Sequence, residues 1–403
     1  MKRIVSILLL LSCILVGCST LPAPPTTEPS ISTEVTNFVT SPSTETLPAA
    51  TDYVPMQETM YAVSMPATSH IETAADGNII FQYICQTPYL TIPDADVAEK
   101  ITIDLLARID ATHSEAETLR NAAEAAFTNT SDWSAYLYQF TLSPTRIDPG
   151  VLSFFGLNTQ YSGASHPEKT TSAANYDILT GDVLTLAGIL APGASANSFC
   201  KLVISELTEN KDNLKLYDFF EETVQDRFAA DPTKDENFYF TPEGLCFFFE
   251  PMELAPYTAG VIHVQIPYDH LTGLLYDGYF PEELDAPIGS VFAKLQSDVN
   301  IEQFTQIGEL TLDNEAERIF LYTNLSVRHV RIEAGTWDML GLSFSPSYAA
   351  FAAYGLTPGD AIMLETFIPD TMPNLRLSYQ SQNNTIQHFI SQSGKDGSII
   401  LYE

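Results

Sequence analysis

Seven histidines, at positions 70, 113, 166, 263, 270, 329 and 388, have the widest chemical reach in this chain. None stands at a metal-ligating spacing such as HExxH, and no GxSxG turn presents an activated serine. His166 differs from the others in setting. It follows Ser165 in the loop Ser162-Gly163-Ala164-Ser165-His166-Pro167, just after Tyr161, where an imidazole can donate to a glycan or to a protein carbonyl. The same ring can instead brace its own loop through a backbone hydrogen bond. Tyr176 and Tyr257 also stand near turns with Gly or Pro, and they are expected to be partly exposed and to offer aromatic contacts. His263 lies among alternating apolar residues and reads as a satisfied strand residue. Paired acids at Glu221-Glu222 and Glu282-Glu283 raise glycosidase chemistry, which needs two carboxylates held across a cleft. With 51 acids in the chain, adjacent pairs arise by chance. No dinucleotide fingerprint or P-loop occurs, and neither a cofactor nor a metal is expected.

The acids face only 18 Lys and Arg, for a formal net charge of -33. Nucleic acid is therefore a poor partner, because phosphate binding needs clustered cations. A polyanion of this kind attracts cationic proteins; alternatively, the charge only keeps an exported protein soluble. Cys85, Cys200 and Cys246 are too few and too widely spaced for a disulfide framework or a zinc site, although one pair can still join. Cys246, in Leu245-Cys246-Phe247-Phe248-Phe249, reads as a buried thiol acting as a small hydrophobe.

The N-terminus carries a different chemistry. Met1-Lys2-Arg3 precedes an apolar run from Ile4 to Val16, too short to span a bilayer and of the length of an export signal. Its end, Leu15-Val16-Gly17-Cys18, resembles the lipobox of bacterial lipoproteins, which implies a signal at 1–18 and lipid attachment at Cys18. The expectation is a chain held to the cell membrane by lipid, facing the extracellular or cell-wall side. Residues 19–50 are Ser, Thr and Pro with almost no large apolar side chain, and read as a disordered stalk.

Roughly 350 residues remain beyond the stalk, enough for two domains of usual size. The patterning predicts an α+β fold: antiparallel sheets with packed helices in two adjacent domains, 53–149 and 150–285, then a mostly β domain at 287–403. In the first domain, a strand at Ile79–Ile84 is followed after Pro93 by a helix capped by Asp94 or Asp96. Its apolar face is Val97, Ile101, Leu105, Leu106 and Ile109. A strand over 133–142 closes that domain. In the second, strands are expected at 151–161, 170–179, 183–186, 238–240, 245–249 and 261–267. Two helices lie between them, carrying Phe199, Leu202, Val203 and Leu207, then Leu216, Phe219, Phe220, Val224 and Phe228. The last domain shows strands at 325–332, 361–368 and 374–378, with one short helix near 346–354, and reads as a small sandwich or sheet.

The run Ser153-Phe154-Phe155-Gly156-Leu157-Asn158-Thr159-Gln160-Tyr161-Ser162-Gly163, then His166-Pro167, Asn175-Tyr176-Asp177 and Thr180-Gly181-Asp182, resembles paired extracellular domains of unknown function (DUF4163/DUF3298 type). The stretches Asn237 to Leu245, Glu250-Pro251, Ala255 to Gly260 and Ile266-Pro267-Tyr268 follow the same family in order. That pair is similar to the ectodomain of a lysozyme-sensing anti-sigma factor and to the non-catalytic N-terminal part of peptidoglycan deacetylases. The resemblance covers about 53–285 and implies an external, non-enzymatic module that binds lysozyme, another cationic protein, or cell-wall glycan (peptidoglycan). The alternatives are an enzyme of peptidoglycan metabolism using the Ser165-His166 loop, and a structural subunit of a surface assembly docked through 287–403. The loop departs from the family's Gly-Gly-Ala-His-Pro by reading Gly163-Ala164-Ser165-His166-Pro167. With no sigma-binding segment ahead and no deacetylase domain behind, sensing by sigma release and sugar deacetylation are not expected of this chain.

Overall fold

The computed structural model describes residues 61–128, 133–229, 237–282, 288–311, 317–337, 343–366, 374–382, 384–392 and 398–402. The signal, Cys18 and the stalk lie outside the described residues. No described helix is long and apolar enough to cross a membrane.

The first strands are β1 (Ala62–Ser64), β2 (Ala67–Thr73), β3 (Ile79–Gln86) and β4 (Tyr89–Thr91). Helix α1 (Ala95–Ala126) starts where one Asp94 carboxylate oxygen accepts from the backbone N–H groups of Asp96 and Val97, at 3.0 and 3.2 Å. This satisfies two of the free donors at the helix start. Val97, Ile101, Leu105 and Ile109 face inward as their four-residue spacing predicts, whereas Leu106 falls off that stripe and is exposed. The helix packs on a five-stranded sheet ordered β2-β3-β5-β6-β7, completed by β5 (Tyr136–Ile147), β6 (Val151–Tyr161) and β7 (Glu168–Asp177). All its pairings are antiparallel except β3 with β5, because α1 provides the crossover that a parallel pair requires.

Past β7 the chain makes a two-residue contact instead of the expected strand at 183–186: Leu184 N donates to Asn175 O, and the pairing ends there. Helices α2 (Ala196–Glu209), α3 (Lys211–Leu214) and α4 (Phe220–Ala229) then cover a three-stranded sheet of β8 (Phe238–Phe240), β9 (Gly244–Phe249) and β10 (Ile262–Pro267). Every residue of β9 is buried, as expected of a strand covered on both faces. Phe219, expected on the inner stripe, is exposed and stacks on Tyr217 at 5.1 Å.

The C-terminal part is a sandwich. It contains β11 (Val291–Leu295), β12 (Thr305–Thr311), β13 (Glu317–Thr323), β14 (Val327–Trp337), β15 (Phe344–Leu356), β16 (Asp360–Thr366), β17 (Leu375–Ser381), β18 (Asn384–Gln392) and β19 (Ile399–Tyr402). A four-stranded sheet, β11-β13-β16-β12, shares its core with a seven-stranded sheet, β19-β18-β17-β14-β15-β1-β4. Two findings correct the sequence reading. The short helix expected near 346–354 is the long strand β15, held between β14 and β1. And the N-terminal strands β1 and β4 belong to this C-terminal sheet, with Ala62 opposite Ala353. The 149/150 boundary likewise falls inside the β5–β6 hairpin, whose strands pair over almost their whole length. The whole is an α+β fold, mostly strand, with several antiparallel sheets.

Candidate functional site

The loop after β6 brings most of the expected site residues together. Tyr161 is half-buried, and Ser162, Gly163, Ser165 and His166 are exposed. Gly163 turns the chain at φ 80°, a conformation that favours glycine, and its missing side chain faces the Tyr136 ring. Tyr257 reaches over from beyond β9. Its hydroxyl donates to Pro167 O at 2.6 Å and its ring stacks on His166, with centroids 5.1 Å apart. His166 is thus held by an aromatic face and turned outward. Tyr176 is elsewhere: it is fully buried beneath α1 and donates to Asp104 Oδ2 at 2.7 Å. Burial raises its phenol well above the ordinary value. The expectation of an exposed Tyr176 is corrected, because β7 turns that residue toward the helix.

A larger concavity lies between the sandwich and the two N-terminal sheets. It encloses about 460 Å³ and is walled by the ends of β5 and β6, by β8 and β10, and by β14, β15 and β17. Tyr239, Phe155 and His263 form one aromatic wall. The Phe155 and His263 rings lie 5.0 Å apart, and Tyr239 Oη is 3.1 Å from His263 Nδ1. Although part of the imidazole surface is open to the cleft, the enclosing rings desolvate it and push His263 below the ordinary histidine value. The opposite wall carries His329, Arg331, Glu333 and Tyr348. Glu333, almost buried, accepts from Arg376 Nε and Nη2 at 2.8 and 2.6 Å through one oxygen, and its other oxygen lies 3.3 Å from Arg331 Nε. Burial pushes Tyr348 up to about 12 and His329 down to about 4, the latter opposed by Asp148 and reinforced by Arg146 and Arg328.

One end of this cleft is fixed by Arg146, whose side chain is fully buried. Its Nε donates to Asp148, while Nη1 donates to Tyr268 Oη and Tyr279 O. Asp148 in turn accepts from Gly150 N and Val151 N, closing the β5–β6 turn. A second buried network ties the sheets together: Ser153 Oγ donates to Asn175 Oδ1 at 2.6 Å and accepts from Phe240 N, and Asn175 Nδ2 donates to Phe238 O at 2.8 Å.

The helical layer and the three-stranded sheet, which gives Tyr239 and His263 to the aromatic wall, correspond to a known sequence family. Residues 188–269 match the model of a protein family of unknown function, DUF3298. The chain carries a DUF3298 domain. A Mycobacterium tuberculosis protein named Esterase Rv3036c is 29% identical over 118 residues, which are 29% of this chain and 47% of that protein. The match therefore spans about half the length of that relative. Two solved structures of DUF3298 proteins are similar to the chain. The one from Bacteroides fragilis has a TM-score of 0.41 at 15% identity and covers 54% of this chain and 94% of its own. The one from Pseudomonas aeruginosa has a TM-score of 0.40 at 17% identity and covers 55% and 97%.

The DUF3298 domain supplies Tyr239, Thr241, Glu243 and His263 to the cleft, and the sandwich supplies the rest of the facing wall. Sequence reasoning assigned His263 to a strand and missed its wall position. The available signal was the strict alternation of β10, which sends His263 and Gln265 to the face opposite Ile262, Val264 and Ile266. No comparable signal marks His329 or Arg331, since their partners lie in remote parts of the chain. Among the described residues no group of three or more His, Cys, Asp and Glu can hold a metal. Cys85, Cys200 and Cys246 are buried free thiols, and burial pushes the Cys246 thiol up to about 11.

Proposed function

We propose that this protein is a non-enzymatic binding module of the cell surface, and that the cleft between the DUF3298 domain and the sandwich receives a segment of cell-wall glycan. The observation that carries this reading is the cleft's make-up: about 460 Å³ with aromatic faces at Phe155, Tyr239 and Tyr348 and convergent polar groups at His263, Arg331 and Glu333. That is the composition of a ligand pocket, in which apolar walls bury the ligand and a few polar groups orient it. The volume lies within the roughly 300–1,000 Å³ of small-molecule pockets. The loop bearing His166 and Tyr257 is a separate exposed surface, available to a cationic protein such as lysozyme drawn by the acidic chain. The lipobox at Cys18 and the stalk at 19–50 support a tether that presents both surfaces outside the membrane, and the resemblance to paired envelope domains points to the same setting.

A titration of the stalk-free chain with soluble peptidoglycan fragments, run beside lysozyme, tests this. Fragments are expected to bind, and Tyr348→Ala to weaken them at least about tenfold. Lysozyme binding that Tyr348→Ala leaves intact, with no glycan binding, would replace the cleft by the His166 loop as the working surface.

A second reading, an esterase, is favoured by the name of the M. tuberculosis relative alone. Ser143, one of the serines lining the cleft, accepts from Ala349 N at 3.0 Å through its hydroxyl. Steady turnover of p-nitrophenyl acetate that Ser143→Ala abolishes would establish that reading over binding.

A further inference from the structure

We infer that the ligand of this cleft carries an oxyanion, a carboxylate or phosphate, which docks against the guanidinium groups of Arg146 and Arg331. The inference rests on the reading of the cleft as the ligand site and adds the chemical class of the group that enters it. Arg146 and Arg331 both line the cleft, in a chain with 51 acids and 18 Lys and Arg. Each has a buried N–H without a hydrogen-bond acceptor: Nη2 of Arg146 and Nε of Arg331. The Arg331 Nε lies 3.3 Å from Glu333 Oε1, near enough for ionic attraction but out of hydrogen-bond alignment, so the ion pair and the unmet donor coexist. Buried guanidinium donors left unpaired are costly, and an oxyanion is the acceptor that a guanidinium binds most strongly.

The neighbouring charges leave room for such a group. Asp148 is engaged by Arg146 Nε and by two backbone amides, and Glu333 is held by Arg376. Glu243 is the remaining lining carboxylate. His263 and His329 line the same space and add donors or acceptors without adding fixed charge. Because Arg376 continues to hold Glu333, Arg331 is the guanidinium whose loss disturbs the fold least.

The test compares muramyl dipeptide with the same molecule amidated at its free carboxylate, by calorimetric titration of the whole chain. Inorganic phosphate is titrated alone as a third probe. The acid is expected to bind at least about tenfold tighter than the amide, and Arg331→Gln to erase that preference while leaving thermal unfolding near wild type. Equal binding of acid and amide would overturn the oxyanion and leave the glycan reading standing. If neither sugar compound binds, the glycan reading falls and phosphate decides the oxyanion. A phosphate-dependent rise in unfolding temperature that Arg331→Gln abolishes supports it, and no such rise refutes it. Should Arg331→Gln fail to fold, Arg331→Lys keeps the charge but not the fork and is expected to lose most of the preference.

Discussion

Acidification should loosen the sandwich through one imidazole. His329 occupies the irregular point of β14 where the register shifts between Arg328 and Arg331, with a backbone φ of 47°. Asp148, Arg146 and Arg328 act on it electrostatically, and the Tyr354 ring lies 5.9 Å away. Burial is the largest influence, and it holds the imidazole neutral down to about 4. In the unfolded chain the same group titrates near 6.5. As pH falls between these two values the unfolded chain takes up a proton that the folded chain refuses, so stability present at neutral pH is lost across that window. Linkage puts the loss at about 2 kcal/mol between pH 7 and pH 5, and at about 3 kcal/mol once both forms are protonated. His329→Asn removes the titration while keeping a residue that tolerates the left-handed backbone. Urea unfolding followed by Trp337 fluorescence reports on β14 itself, with Trp133→Phe in both backgrounds to leave one emitter. Subtracting the variant from the parent cancels the many surface carboxylates. The parent is expected to lose about 2 kcal/mol more than the variant between pH 7 and pH 5. A difference that stays within about 0.5 kcal/mol over that range would refute the account of His329 as a desolvated imidazole.

Asn175→Leu should destabilise the protein by about 2 to 3 kcal/mol, read as a lowered urea midpoint at pH 7, because it leaves the Phe238 carbonyl and the Ser153 hydroxyl buried with a partner lost. Tyr257→Phe removes the donor to Pro167 O and should cost about 1 kcal/mol or less globally. Its larger effect is expected locally, as faster proteolytic cleavage between Ser162 and Pro167; unchanged cleavage would show that ring stacking alone holds the loop.

Elements with strong local signals were legible in the sequence. The Asp94 cap and the Val97, Ile101, Leu105 stripe define α1, the strand-like run before the Ser162-Gly163 loop gives β6 over Val151–Tyr161, and the Phe-rich run gives β9. The close approach of β9 and β10 also explains a motif residue, since any side chain at Gly244 would collide with the Ile266 carbonyl. What escaped was decided by partners far along the chain. Ala349, Ala350, Ala352 and Ala353 have high helix propensity, yet they form the centre of β15 because neighbours β14 and β1 supply its hydrogen bonds. Small side chains there let Ser143 approach the Ala349 backbone, which joins β5 to the sandwich. Tyr176 was misjudged for a related reason: its neighbours in sequence make a turn, but its contact is Asp104, on a helix 72 residues earlier in the chain.

The cleft follows from the same long-range connections. Its walls come from the β5–β6 hairpin, the DUF3298 strands, β14 with β15, and β17, so no local motif spans even two of them. Their mutual placement is held by few but deeply buried links. Arg146 joins the end of β5 to Tyr268 and Tyr279, Ser153 and Asn175 join β6 and β7 to β8, and β1 inserts the N-terminal segment into the C-terminal sheet. Buried hydrogen-bonded groups are costly to separate, so these links favour a cleft that is formed before a ligand arrives. Arg146 serves both purposes: its Nη1 contacts with Tyr268 of the DUF3298 domain and with Tyr279 just beyond it hold the hairpin in place, and the remaining buried donor is the one proposed to meet an oxyanion. A residue in that position couples the ligand to the alignment of the two halves, because an anion that satisfies Nη2 also stabilises the guanidinium in the pose that ties them together.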